Sequence, residues 1–192
     1  MQPSTEEFDA TQNAILDGVL ACVSNYGFGG VTTRRIAAAA NVNEVTIFRR
    51  FGSKNEVIKA AFRREANFVQ TEAVYYTGDL GADLHRIVTT LWQAAGRRQS
   101  ILPLLIAEIP RNPELREAAQ ASLQVIGQVL QIIQQYQAEG QLRVEPPLLT
   151  FATLIGPIVF INLLGHLQPA EVGTFQAETY VQHFLIGRRA SV

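Results

Sequence analysis

Two short stretches joined by a three-residue turn constrain this chain more than any other feature. Within TTRRIAAAANVNEVTIFRRFGSK, Thr32 to Lys54, the pattern predicts one helix over Thr33–Ala40 and a second over Glu44–Arg50. Neither is long enough to be stable alone in water, so each must be held by packing. Thr32 is a good N-cap for the first helix. The third helical position is Arg35 rather than a capping-box Glu, which leaves the helix start basic and suited to a nearby phosphate. Ala37 is small where two helices must approach closely. Asn41 sits where the chain leaves the first helix in a left-handed conformation, which Asn tolerates second best after Gly. Val42 can plug the turn from inside, Asn43 caps the second helix, and Ile47 faces the first. This spacing is what a helix-turn-helix needs to cross its helices at a fixed angle.

The second helix is too short and polar to be core. Its exposed set is Glu44, Val45, Thr46, Arg49 and Arg50. In the major groove of double-stranded DNA the early residues would meet base edges and the arginines would flank phosphates. Lys54, opening the next helix, would add its charge to that helix's N-terminal amides as an anion site. The charge distribution agrees. From Val31 to Arg64 there are eight basic and two acidic residues, a net +6, in a chain whose overall charge is −1. Such concentration is the footprint of a phosphate-binding surface. A basic pair alone is more often a solvated face, so Arg34, Arg49 and Arg50 are expected at the DNA and Arg63 and Arg64 are not. Phe51 is expected to pack inside the small helical domain that carries these two helices.

Nearly everything else also reads as helix. Periodic apolar residues mark a first helix ending at Gly27, a helix from Lys54 to about Tyr76, and one from about Ala82 to Ala95. Further helices are expected around Leu104–Glu108, over Glu114–Glu139 and Leu148–Gly165, and from about Gly173 to Ile186. No β-alternation appears. The expected fold is all-α, with an N-terminal three-helix helix-turn-helix DNA-binding domain (residues 8–64) and a larger C-terminal helical ligand-binding and dimerisation domain (residues 65–192). The single Cys22 excludes a disulfide framework, and His85, His166 and His183 lack ligand spacing, so no metal or cofactor is expected. No nucleophile–base arrangement or defensible acid–base pair is visible, so the chain is not expected to be an enzyme.

The acidic, polar N-terminus lacks the pattern of a secretory signal. Leu148–Gly165 is nearly long enough to span a membrane, but Pro157 interrupts it and no basic cluster flanks it. A cytoplasmic protein with no membrane span is expected. A helix apolar on all sides must be buried on all sides, and a second subunit would supply the missing cover beside the Phe175–Ile186 helix. The interface residues of such a homodimer would be Leu154, Gly156, Ile158, Phe160, Ile161 and Phe184, with Gly156 and Gly165 allowing close approach.

The span from Ile15 to about Phe62 resembles the DNA-binding domain of the TetR family of transcriptional regulators. It carries an opening ILDGVL helix, a Tyr-Gly break, then V-T-T, I-A, N-V, I-F, F and S-K. The remaining two-thirds matches in helical character and length only. The resemblance implies phosphate or base contacts from Thr32, Thr33 and Arg34, base reading by Glu44, Val45 and Thr46, and phosphate contacts from Phe48, Arg50 and Lys54. Phe48 stands where the family usually has Tyr, so that hydroxyl-to-phosphate bond is absent. Arg50 replaces the usual His or Tyr, Arg49 adds a second charge, and Asn41 replaces the usual turn Gly. The arginines are expected to supply the affinity that the hydroxyl does not.

The family also implies a homodimeric repressor that releases a pseudo-palindromic operator when a small-molecule effector binds the C-terminal domain. Candidate walls of that pocket are Trp92, Ile101, Leu102, Leu104, Leu105, Ile106, Phe151 and Ile155, for each of which ordinary core is the rival reading. Few charges fall there, which favours an apolar or aromatic ligand. Two other readings stay open. One is an activator or corepressor-dependent regulator, in which the ligand has the opposite sign. The other is a helical enzyme acting on a small apolar substrate.

Overall fold

The computed structural model describes residues 8–98, 108–110, 112–113, 115–165 and 174–189. Among them the chain is helical, with no strand and a single β-bridge between Leu142 and Arg189. The helices are α1 (Ala10–Tyr26), α2 (Thr33–Ala39), α3 (Glu44–Phe51), α4 (Lys54–Ala73), α5 (Leu80–Arg98), α6 (Leu115–Ala138), α7 (Pro147–Gly165) and α8 (Ala177–Ile186), with a 3-10 turn at Phe28–Gly30. The all-α architecture expected from the sequence is the one observed.

The chain divides into two compact units, Met1–Asn67 with Ile101–Ser122, and Phe68–Ser100 with Leu123–Val192. In the first, α1 buries Ile15, Leu16, Val19, Leu20 and Val23 against Ile36 and Ala37 of α2, Ile47 of α3, and Val57, Ile58, Ala61 and Phe62 of α4. Ala118 and Ala119, from the start of α6, complete this core. A boundary near residue 64 assigns α6 wholly to the C-terminal part, whereas its first turns pack with the N-terminal helices. Gly18 lets α1 and α2 meet: a Cβ there would lie 3.0 Å from the Ile36 carbonyl oxygen.

The second unit is built from α5, α7, α8, the end of α4 and most of α6. Its core gathers Leu84, Ile87, Val88, Ile133, Tyr136, Leu154, Ile158, Val181 and Leu185. One carboxylate is sealed into it. Asp83 is wholly buried and accepts hydrogen bonds from the Thr77 amide (2.8 Å), the Thr77 hydroxyl (2.5 Å), the Tyr136 hydroxyl (2.5 Å) and Arg86 (2.8 Å). Pro157 lies inside α7, and the Tyr180 hydroxyl donates to the neighbouring Leu154 carbonyl at 2.6 Å. No helix of the described residues is long and apolar enough to cross a membrane.

Candidate nucleic-acid interface

The α2–α3 pair is held by local chemistry at each joint. Thr32 caps α2, its hydroxyl accepting from the Arg35 amide at 3.2 Å, and Asn43 caps α3, accepting from the Val45 amide at 3.0 Å. Between them Asn41 has φ +53°, the one non-glycine residue with positive φ among those described. Val42 packs on the core of the unit, and its amide closes the turn on the Ala37 carbonyl at 3.0 Å. Ile47 is fully buried. Gly52, at φ +80°, ends α3, and the Ser53 hydroxyl starts α4 by accepting from the Glu56 amide at 3.1 Å.

With Ile47 fixed inward, the rest of α3 faces out. Val45 is 70% exposed and Phe48 48%, unusual for apolar side chains on so small a unit, and Arg49 stands beside them. Thr32, Arg34, Arg50 and Lys54 are exposed around this face, while Thr33, Glu44 and Thr46 are half-buried. Phe51 is half-buried against the core, as expected. The ten residues singled out for DNA contact thus lie on α2 and its N-cap, on α3 and at the start of α4.

Their polar partners were not all foreseeable. The Thr33 hydroxyl donates to Glu44 Oε2 at 2.7 Å, tying the first residue of α2 to the first of α3. Arg50 pairs with Asp9 at 2.8 Å. That carboxylate also caps α1, accepting from the Gln12 amide at 2.8 Å in a capping box whose Asp-x-x-Gln signature stands in the sequence. Lys54 reaches the Val31 carbonyl at 3.4 Å. Arg34 and Arg49 have no hydrogen-bond or ion-pair partner among the described residues. Arg35 is a correction: it turns back onto the α1–α2 connection, donating to the Gly30 carbonyl at 2.6 Å and lying 4.4 Å over the Tyr26 ring. Arg64 is held by Asn13 and by Asp17, the latter at 2.6 Å.

In the second unit the predicted pocket and interface residues separate. Trp92 stacks on Phe175 with centroids 4.2 Å apart, and Phe175 leans on Tyr180. Phe151 is half-buried and Ile155 buried in the same core. Ile101, Leu102, Leu104, Leu105 and Ile106 lie outside the described residues. An open cleft of about 500 Å³ lies elsewhere, between α5 and α8, lined by His85, Glu178, Gln182 and Arg189 among others. Of the interface set, Leu154, Ile158 and Phe184 are buried in the unit's own core. Ile161 is half-buried, and Gly156 and Phe160 are exposed. The outward stripe of α7 is instead Leu148, Leu149, Ala152, Gly156 and Phe160, at helical spacing.

Comparison with known proteins agrees with this geometry. Residues 15–61 match the family model of bacterial regulatory proteins, tetR family, and residues 74–181 match the tetracyclin repressor-like C-terminal domain. The chain is 32% identical over 98 residues to YvkB, an HTH-type transcriptional regulator of Bacillus subtilis, covering 51% of this chain and 52% of that one. It is 30% identical over 102 residues to the DNA-binding transcriptional repressor TetR of Mycobacteroides abscessus, covering 53% and 51%. The matches thus span about half the length of these curated relatives. A TetR-family transcription regulator from Marinobacter aquaeolei superposes with a TM-score of 0.69 at 17% identity, covering 94% and 96%. The fatty acid degradation regulator FadR of Bacillus halodurans superposes with 0.69 at 15%, covering 94% and 95%.

Proposed function

The chain belongs to the tetR family of bacterial regulatory proteins, and from that premise we propose that it is a cytoplasmic homodimeric repressor whose α3 reads a pseudo-palindromic duplex operator. The observation that carries the reading is the outward face of α3. Val45, Phe48 and Arg49 project from a helix whose opposite side is locked by Ile47, with Arg34, Arg50 and Lys54 around them. Apolar side chains suit thymine methyl groups and cations suit phosphates. The open apolar stripe of α7 supports a dimer, because a patch of that kind on a soluble protein calls for cover, and Ala152 and Gly156 let two backbones approach. Two-fold symmetry would present two heads to half-sites about one helical turn apart.

The second unit would bind a small, mostly apolar effector, with Trp92, Phe151 and Ile155 among the walls of its site. An effector that prefers a body conformation with the heads wrongly spaced lowers operator affinity by its coupling energy. The helix α4, which contributes residues to both units, would carry the movement.

Selection of bound duplexes from a random library by the full chain, with sedimentation of the free protein, tests the reading. An inverted-repeat motif and a dimer are expected. No enriched sequence, or a monomer at micromolar concentration on an unrepeated motif, would reject it.

A further inference from the structure

Glu44 is the one acidic residue between Asp17 and Glu56. It opens α3, the helix that the proposed function places against DNA, in a segment that also carries Arg34, Arg49, Arg50 and Lys54. A carboxylate there repels every nearby phosphate and lowers general affinity for duplex. The helix does not need it as a cap, because Asn43 already serves that role through the Val45 amide. A favourable interaction with the helix dipole would be met by any first-turn acid and requires no partner on α2. Glu44 nevertheless has one: the Thr33 hydroxyl donates to its Oε2 at 2.7 Å. That bond restricts the side chain's rotamers and leaves Oε1 as an acceptor.

An ionised carboxylate can only accept hydrogen bonds. Of the four base edges in the major groove, cytosine offers only the N4 amino donor. Adenine sets its N6 donor beside the N7 acceptor, guanine presents two acceptors, and thymine an acceptor and a methyl group. A fixed carboxylate is therefore attracted to cytosine and repelled by guanine N7 and O6 and by thymine O4. Resting on the duplex-reading role above, we propose that Glu44 is a specificity-determining residue that reads the N4 amino group of one cytosine per half-site, and that Thr33 is the positioning residue that aims it.

The test takes the duplex that the wild-type full chain enriches from a random library and measures binding with each base pair at each position. Wild type prefers cytosine at one position per half-site. E44A reduces that preference to within about twofold and raises affinity for random-sequence duplex. E44Q, which keeps the size of the side chain should E44A fold poorly, moves the preference at that position to adenine, since Gln pairs with adenine N6 and N7. T33V lowers the cytosine preference by about three- to tenfold and T33S restores it. A merely structural role for either residue would weaken all four base pairs alike. If E44A and E44Q keep the wild-type preference at every position, the proposal is overturned. An unchanged preference in T33V overturns the positioning role. If wild type enriches no sequence at all, it is the duplex-reading role that fails, and Glu44's part in it falls with that role.

Discussion

Replacing Asp83 by Ala is expected to destabilise the second unit by about 3–4 kcal/mol. Removing one partner of a buried charged pair costs about 3–5 kcal/mol, because the other partner is left without its counter-charge. Here the substitution strands the Tyr136 hydroxyl and the Thr77 amide and hydroxyl, all of which donate to Asp83. Arg86 is less exposed to loss. It also donates to the Ala73 carbonyl at 3.3 Å and the Tyr75 carbonyl, and it lies 3.6 Å over the Tyr75 ring, which places the cost in the lower half of the range. Tyr136→Phe removes one hydrogen bond to a charged acceptor that keeps three other donors, and is expected to cost about 1.5–2 kcal/mol. Trp92 is the only Trp of the chain and packs on the same core, so its fluorescence during urea unfolding reports this unit. With a urea slope of about 1–3 kcal/mol per molar, the Asp83→Ala midpoint falls by about 1–4 M. Burial alone would raise the Asp83 carboxyl, but the hydrogen bonds from Thr77, Tyr136 and Arg86 outweigh it and hold the group below the ordinary carboxylate range. A lowered folded-state pKa gives stability that is present above the unfolded value of about 3.9 and lost as pH falls through the folded one. The gap between wild type and Asp83→Ala should therefore be full at neutral pH and shrink in acid below about pH 4. A loss under about 1 kcal/mol at neutral pH, or strict additivity of Asp83→Ala with Tyr136→Phe, would refute the reasoning.

Three further outcomes follow from the geometry. The Arg50–Asp9 pair is exposed on both sides, and such pairs are worth about 0–1 kcal/mol, so a phosphate can displace Asp9; Arg50→His should flatten the slope of log K against log salt by about 0.9. An unchanged slope would mean that Arg50 stays on Asp9 in the complex. Uracil substituted for thymine under Val45 or Phe48 removes only a methyl group and should weaken operator binding severalfold, with Val45→Ala insensitive at one of those positions; equal binding of the uracil duplexes would show that the apolar face does not read thymine. Phe160→Asp places a charge on the open stripe of α7 and should give a folded monomer by sedimentation and circular dichroism. A persistent dimer would put the interface elsewhere.

The helix-turn-helix was legible because its requirements are local. Asn41 must have a left-handed backbone, Val42 must fit inside a turn five residues from Ala37, and Thr32 and Asn43 must cap the next few amides. The partners of long or charged side chains were not legible, because the fold and not the sequence neighbourhood supplies them. Arg50 finds Asp9, forty-one positions earlier, and Arg35 turns away from any phosphate because Tyr26 and Gly30 lie within its reach. Asp83 and Tyr136 are fifty-three residues apart, so nothing in a pattern of dispersed acids marks Asp83 as sealed in a core.

The α7 helix shows where reading by periodicity stops. Phase along a helix is read from the alternation of apolar and polar faces, and between Leu148 and Gly165 the only strongly polar side chain is Asn162. The sequence can therefore require cover on every side without saying which side the chain itself covers. The fold makes that division. Leu154, Ile155 and Ile158 face the core, and the Tyr180 hydroxyl bonds the Leu154 carbonyl on that same side. Leu148, Leu149, Ala152, Gly156 and Phe160 are left in the open. The expected interface mixed both sets because its premise, an excess of apolar surface, carried no direction. What the chain leaves uncovered is a stripe with small residues at its centre and large ones at its ends, a shape into which a second copy of the same helix could fit closely.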